Sequence, residues 1–189
     1  MIPAQDRLQG VEQLIDRQQY FVIHAARQSG KTTFLKDLTT RLNSAGKYYA
    51  LYCSLESLQE INDPRAGIPQ IVDRIKMSLQ TYKMPYCDDF AKDAKPEYFA
   101  SVLQSELSKY CAMLDLPLVV LFDEADCLSN GTLITFLRQL RNGYIDRNEA
   151  PFAQSIALVG MRNIRDYKAL IRSERETLGS ASPFNIVAK

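Results

Sequence analysis

The chain has 189 residues, 46% hydrophobic and 24% charged, with a formal net charge of +1. That length suits one domain that buries a core without staples, and the balanced charge argues against nucleic-acid binding by bulk electrostatics, though it does not exclude a local patch. Cys53, Cys87, Cys111 and Cys127 form no Cys-x-x-Cys pair, and a single His is a poor inventory for a metal site.

In chain order, residues 1–9 carry charge and lack the apolar run of a signal peptide. A first helix sets Leu8, Val11, Leu14 and Ile15 on one stripe, and a strand follows over 20–25. The next helix groups Phe34, Leu35, Leu38 and Leu42 and ends near Gly46; a second strand covers 48–54. Residues 57–67, polar with Pro64 and Gly67, read as an exposed loop. A third helix carries Ile68, Ile71, Val72, Ile75 and Leu79, then 83–95 reads as a second exposed loop. A fourth helix carries Phe99, Val102, Leu103, Leu107, Tyr110, Cys111 and Leu114 before the strand 118–122. A fifth, with Leu133, Phe136, Leu137 and Leu140, leads to the strand 155–160. A sixth, with Ile164, Tyr167, Leu170 and Ile171, leads to a last strand over 184–187. Short strands, most of them apolar almost throughout, alternating with amphipathic helices, predict an α/β domain with a largely parallel sheet. No stretch approaches the roughly 18 apolar residues of a membrane span. The cysteines read as reduced, mostly buried thiols, so a soluble cytoplasmic protein is expected.

Ala25-Ala26-Arg27-Gln28-Ser29-Gly30-Lys31-Thr32 follows an apolar strand and opens an amphipathic helix, the context of a phosphate-binding loop. Backbone N–H groups from Ala26 through Thr33, with the positive end of the helix, would surround phosphates. Gly30 would let the backbone approach. Lys31 would carry charge to the β- and γ-phosphates, and the Thr32 hydroxyl would ligate Mg²⁺. Arg27 and Gln28 either cap the loop apex in solvent or touch nucleotide or a neighbouring subunit. His24, just before the loop, reads as a buried, hydrogen-bonded strand residue.

The strand 118–122 runs into Asp123 and Glu124. Asp123 suits the Mg²⁺ shell, and Glu124 suits polarising a water for in-line attack on a γ-phosphate. The pair favours hydrolysis of a nucleoside triphosphate over transfer to a metabolite, which disfavours a small-molecule kinase. Asp126 completes Asp-Glu-Ala-Asp, the tetrad that names a helicase group, but a second motor domain has no room here. Asp126 is expected at a helix start or loop, with a supporting role near Mg²⁺ as the alternative. After 155–160 comes Met161-Arg162-Asn163. If that strand lies between the loop strand and the Asp-Glu strand, Arg162 first, or Asn163, would sense the γ-phosphate. The alternative leaves Arg162 in solvent and makes Asn163 a helix cap.

Five blocks in order carry a resemblance: 20–33, Tyr52-Cys53-Ser54-Leu55-Glu56, Leu121-Phe122-Asp123-Glu124-Ala125-Asp126, 158–168 and Ser182-Pro183-Phe184-Asn185-Ile186. Together they resemble the prokaryotic AAA-like ATP-binding proteins, P-loop ATPases with an additional strand and a catalytic glutamate. The resemblance implies a three-layer α/β/α core with a five-stranded parallel sheet ordered 5-1-4-3-2, and it implies ATP and Mg²⁺ as ligands. Lys31 and Thr32 match the Walker A lysine and hydroxyl, Asp123 and Glu124 the Walker B pair, and Arg162 the sensor position. Relatives often have proline where this chain has Ala26. Such proteins usually continue into a helical lid, whereas this chain stops at Lys189. The expectation is an AAA-like core over residues 1–189 without the lid, with an arginine finger supplied by a second copy or a partner protein. The expected activity is Mg²⁺-dependent ATP binding and hydrolysis by Glu124, Lys31 and Arg162. The alternative is an ATP-binding switch or interaction module with little turnover. No residue supports nucleic acid as a partner.

Overall fold

A computed structural model describes residues 4–24, 30–160 and 186–188. The elements run α1 (Ala4–Asp16), β1 (Phe21–His24), α2 (Lys31–Ser44), β2 (Tyr49–Ser54), α3 (Pro64–Thr81), α4 (Val102–Met113), β3 (Leu118–Asp123), α5 (Asn130–Asp146), β4 (Ser155–Gly160) and β5 (Ile186–Ala188). The expected sixth helix, Arg162, Asn163 and the loop residues Ala25, Ala26, Arg27, Gln28 and Ser29 lie outside the described residues.

Strands β1 to β4 form the body of a parallel sheet in the order 1-4-3-2. Beside β1 the three-residue β5 runs parallel, with Phe21 opposite Ile186. It stands one residue past the expected 184–187, of which 184 and 185 lie outside the described residues. Period-two alternation divides each strand between two apolar layers. Phe21, Ala50, Val119, Leu121, Ala157 and Val159 face α1 and α2, meeting Val11, Ile15, Leu35, Leu38 and Leu42. Val22, Leu51, Cys53, Val120, Phe122, Ile156 and Leu158 face the opposite layer, where α3, α4 and α5 pack. Covering on both faces explains why β3 and β4 are buried at every residue.

Both expected loops are more structured than their composition suggests. Within 57–67, Pro64 is the first residue of α3 rather than a breaker, because its missing N–H and fixed φ suit a helix start. Asp63 caps that helix by accepting a hydrogen bond from the Arg65 N–H at 2.9 Å. Gly67 sits inside α3 and is buried. Within 83–95 a series of turns with positive φ at Lys83, Tyr86 and Ala91 folds inward. Phe90 is buried there, edge-on to Tyr110 with ring centroids 5.6 Å apart. His24 is exposed, contrary to expectation, since burial falls off along β1 from Phe21 and Val22 through Ile23 to this last residue. All four cysteines are free, but only Cys53 is fully buried. Cys87, Cys111 and Cys127 occupy turns and helix flanks at the border of the core, which leaves them half-buried.

Candidate nucleotide site

The carboxyl ends of β1, β2, β3 and β4 meet at one edge, with Ser54 opposite Asp123 and His24 opposite Gly160. β4 lies between β1 and β3. Because β1 connects through α2 to the far edge of the sheet, this edge is a topological switch point, the usual crevice for ligands in open α/β sheets.

Here α2 begins at Lys31. Gly30 caps it with φ +76° and ψ +17°, a left-handed conformation that strains any side-chain-bearing residue. An added Cβ at Gly30 would meet nothing within 4 Å, so the constraint is the backbone conformation. The first turn then aims two side chains at the end of β3. Thr32 Oγ1 donates to Asp123 Oδ2 at 2.7 Å, and Lys31 Nζ lies 3.8 Å from Glu124 Oε1. The Lys31 side chain is only 7% exposed. Thr33 stands exposed on the same turn.

Asp123 is buried, and each of its oxygens is used. Oδ1 accepts from the Glu124 backbone N–H at 3.0 Å, and Oδ2 also accepts from the Tyr52 hydroxyl at 3.0 Å. Glu124 turns the chain with φ +53° and ψ +40° and leads into a 3-10 turn over Ala125–Cys127. Burial pushes the Glu124 carboxyl above the ordinary glutamate value; Lys31 opposes this, while Asp123, Asp126 and Glu56 add to it. Asp126 lies in the 3-10 turn, against the tip of β4. A Cβ added to Gly160 would stand 2.5 Å from Asp126 Oδ1, so the bare glycine makes room for that carboxylate.

The donor set fits a small hard cation. Thr32 Oγ1 and Asp123 Oδ2 are neighbouring oxygens, and Mg²⁺ takes few protein ligands, completing its shell from phosphate and water. No cluster of three or more His, Cys, Asp or Glu residues suited to a metal occurs among the described residues. No helix among them is long and apolar enough to cross a membrane. The residue that sequence reasoning missed is Tyr52. Its signal was the alternation of strand 48–54, but only the pairing of β2 with β3 brings its hydroxyl to Asp123.

A family model described as an AAA domain matches residues 14–167. The chain belongs to the AAA domain family. No curated protein matches it significantly. Among solved structures, this AAA domain is similar to the Walker-type ATPase of Pyrococcus abyssi. The TM-score is 0.65 at 14% identity, covering 100% of this chain and 54% of that one. Cdc6p of Pyrobaculum aerophilum gives 0.55 at 16% identity, over 88% of this chain and 42% of that one. Orc1 of Aeropyrum pernix, solved in complex with DNA, gives 0.55 at 13% identity, over 100% of this chain and 46% of that one. At such identities the likeness establishes the fold. The AAA domain spans about half the length of these neighbours or less.

Proposed function

We propose that this AAA domain binds ATP with Mg²⁺ and hydrolyses it. The observation that carries the reading is the hydrogen bond from Thr32 to Asp123, which joins the first turn of α2 to the end of β3 across 91 residues. That bond supports reading the two elements as the Walker A and Walker B parts of a P-loop ATPase. Ala26, Arg27, Gln28, Ser29, Gly30, Lys31, Thr32 and Thr33 are the proposed nucleotide-binding residues, with Thr32 and Asp123 holding Mg²⁺. When bound, Mg²⁺ supplies charge stabilisation to the phosphates. Lys31 places its ammonium against the β- and γ-phosphates. The Glu124 carboxylate takes a proton from the attacking water, and the upward push on its carboxyl by burial strengthens it as a base near neutral pH. Arg162, following β4, is the proposed sensor, and an arginine finger from a second copy or a partner protein completes the charge.

The full five-stranded order 5-1-4-3-2 and the extent of the core over 1–189 belong to the same proposal, supported by β5 beside β1. A cytoplasmic location also belongs to it, supported by the free cysteines. DNA binding is not carried over from the neighbours, because a net charge of +1 offers it no general electrostatic basis.

Lys31→Ala is expected to weaken ATP binding, measured by equilibrium binding of a labelled nucleotide. Glu124→Gln should retain that binding and lose phosphate release by about 10²-fold or more. Unchanged turnover in Glu124→Gln would refute the mechanism. A second reading, a nucleotide-binding switch with little turnover, is favoured by the approach of Lys31 to Glu124, which engages the phosphate-binding cation with the base. Tight binding without phosphate release in the wild-type chain selects it.

A further inference from the structure

Asp123 Oδ2 receives two hydroxyl donors from two different elements, Thr32 of α2 at 2.7 Å and Tyr52 of β2 at 3.0 Å. The Glu124 N–H holds the other oxygen, so three hydrogen bonds fix the plane of one carboxylate. Tyr52 is itself held in place. Its register partner is Leu121, two residues before Asp123, and its ring packs against the α1–α2 layer. Lys36 Nζ, one turn beyond Thr32 on α2, lies over that ring at 5.5 Å from the centroid. Packing alone would be served equally well by phenylalanine. What tyrosine adds is a donor aimed at the oxygen that Thr32 also uses.

We propose that Tyr52 is a positioning residue for the Mg²⁺–nucleotide site, its hydroxyl holding Asp123 Oδ2 against Thr32 Oγ1 before the ligands arrive. The inference rests on the nucleotide-binding reading above and concerns one part of it, the Mg²⁺-dependent share of the affinity. Removing the hydroxyl leaves Asp123 with only the Thr32 and Glu124 N–H bonds and a looser carboxylate plane, so tightening it becomes part of the cost of binding the metal. Groups that orient metal ligands in this way typically contribute tenfold or more to metal affinity.

The test compares wild-type chain with Tyr52→Phe, which keeps the ring and its packing. Binding of a fluorescent ADP analogue is titrated with Mg²⁺ and repeated in EDTA, and thermal unfolding is followed in EDTA alone. In Tyr52→Phe the Mg²⁺ concentration for half-maximal binding should rise about tenfold, while affinity in EDTA stays at the wild-type value and unfolding in EDTA remains a single cooperative transition. A Mg²⁺ requirement equal to that of wild type overturns the proposal. So does an equal loss of affinity with and without Mg²⁺, which would assign Tyr52 to packing. A wild-type chain that binds no nucleotide under either condition sinks the site reading itself, and this inference with it.

Discussion

Glu124 occupies a left-handed backbone conformation that costs a residue with a side chain about 1–2 kcal/mol. The reversal lets the chain leave β3 in a 3-10 turn while its carboxylate stays near Lys31. Gly30 solves a similar problem at the start of α2 without that cost, since it lacks a Cβ. Chemistry at the remaining nucleophiles is governed by burial instead. The Cys53 thiol lies in the α3 layer, and burial pushes it up to about 11 against the opposing influence of Ser78 and Arg74. Burial likewise pushes Cys111 up to about 12. At neutral pH Cys53 therefore carries roughly a hundredfold less thiolate than an ordinary cysteine, before its inaccessibility is counted. A pulse of iodoacetamide on the folded chain should leave Cys53 unmodified in peptide mass spectra, and the same pulse in denaturant should label it. Rapid labelling of Cys53 in the folded chain would contradict this burial.

Helix α3 shows how an element can hide from its own composition. Pro64 and Gly67 signal a loop when read singly, yet Pro64 serves as a first helical residue and Gly67 as a point of close approach. A Cβ at Gly67 would collide with Oγ1 and Cγ2 of Thr132, a buried residue of α5. Gly67→Ala thus sets a helix-propensity gain of about 1 kcal/mol against overpacking of about 1–3 kcal/mol. Net destabilisation is expected, read as a lower urea midpoint, and adding Thr132→Ala should restore part of it. A Gly67→Ala chain more stable than wild type would show that the helices do not approach this closely. The apolar stripes of α2 to α5 were legible because a period of 3.6 residues is a local pattern. The inward turns of 83–95 were not, because burial of Met84 and Phe90 depends on α3 and α4 lying nearby.

Across the whole molecule, the start of β1 is tied to the segments around β4 by side chains that reach backbone carbonyls far along the chain. The Tyr20 hydroxyl donates to Ala153 O at 2.8 Å, spanning 133 residues. Ser155 Oγ donates to Gln19 O at 2.6 Å, Gln154 Nε2 to Ile15 O at 3.2 Å, and Arg147 Nη1 to Gln18 O at 2.9 Å. These bonds brace the amino-terminal end of the sheet where β1 and β4 pair. Tyr20→Phe keeps the ring, in edge contact with Tyr144, but deprives the Ala153 carbonyl of this donor. A loss of about 1–3 kcal/mol is expected, seen as a lower urea midpoint with an unchanged slope. An unaltered midpoint would mean that water replaces the hydroxyl at no cost.

The alternation of strands and helices, the phosphate-loop pattern ending in Gly30, Lys31 and Thr32, and the carboxylates Asp123 and Glu124 can all be read along the chain. These are legible because each depends on neighbours in the chain: a periodicity, a helix start, a strand end. That Thr32 meets Asp123, that Tyr52 shares the same oxygen, and that Asp126 rests against Gly160 emerge from the folded sheet alone. Those contacts depend on which strands pair and in what register. Pairing is settled by burying both faces of the sheet at once, and no short stretch of sequence encodes it.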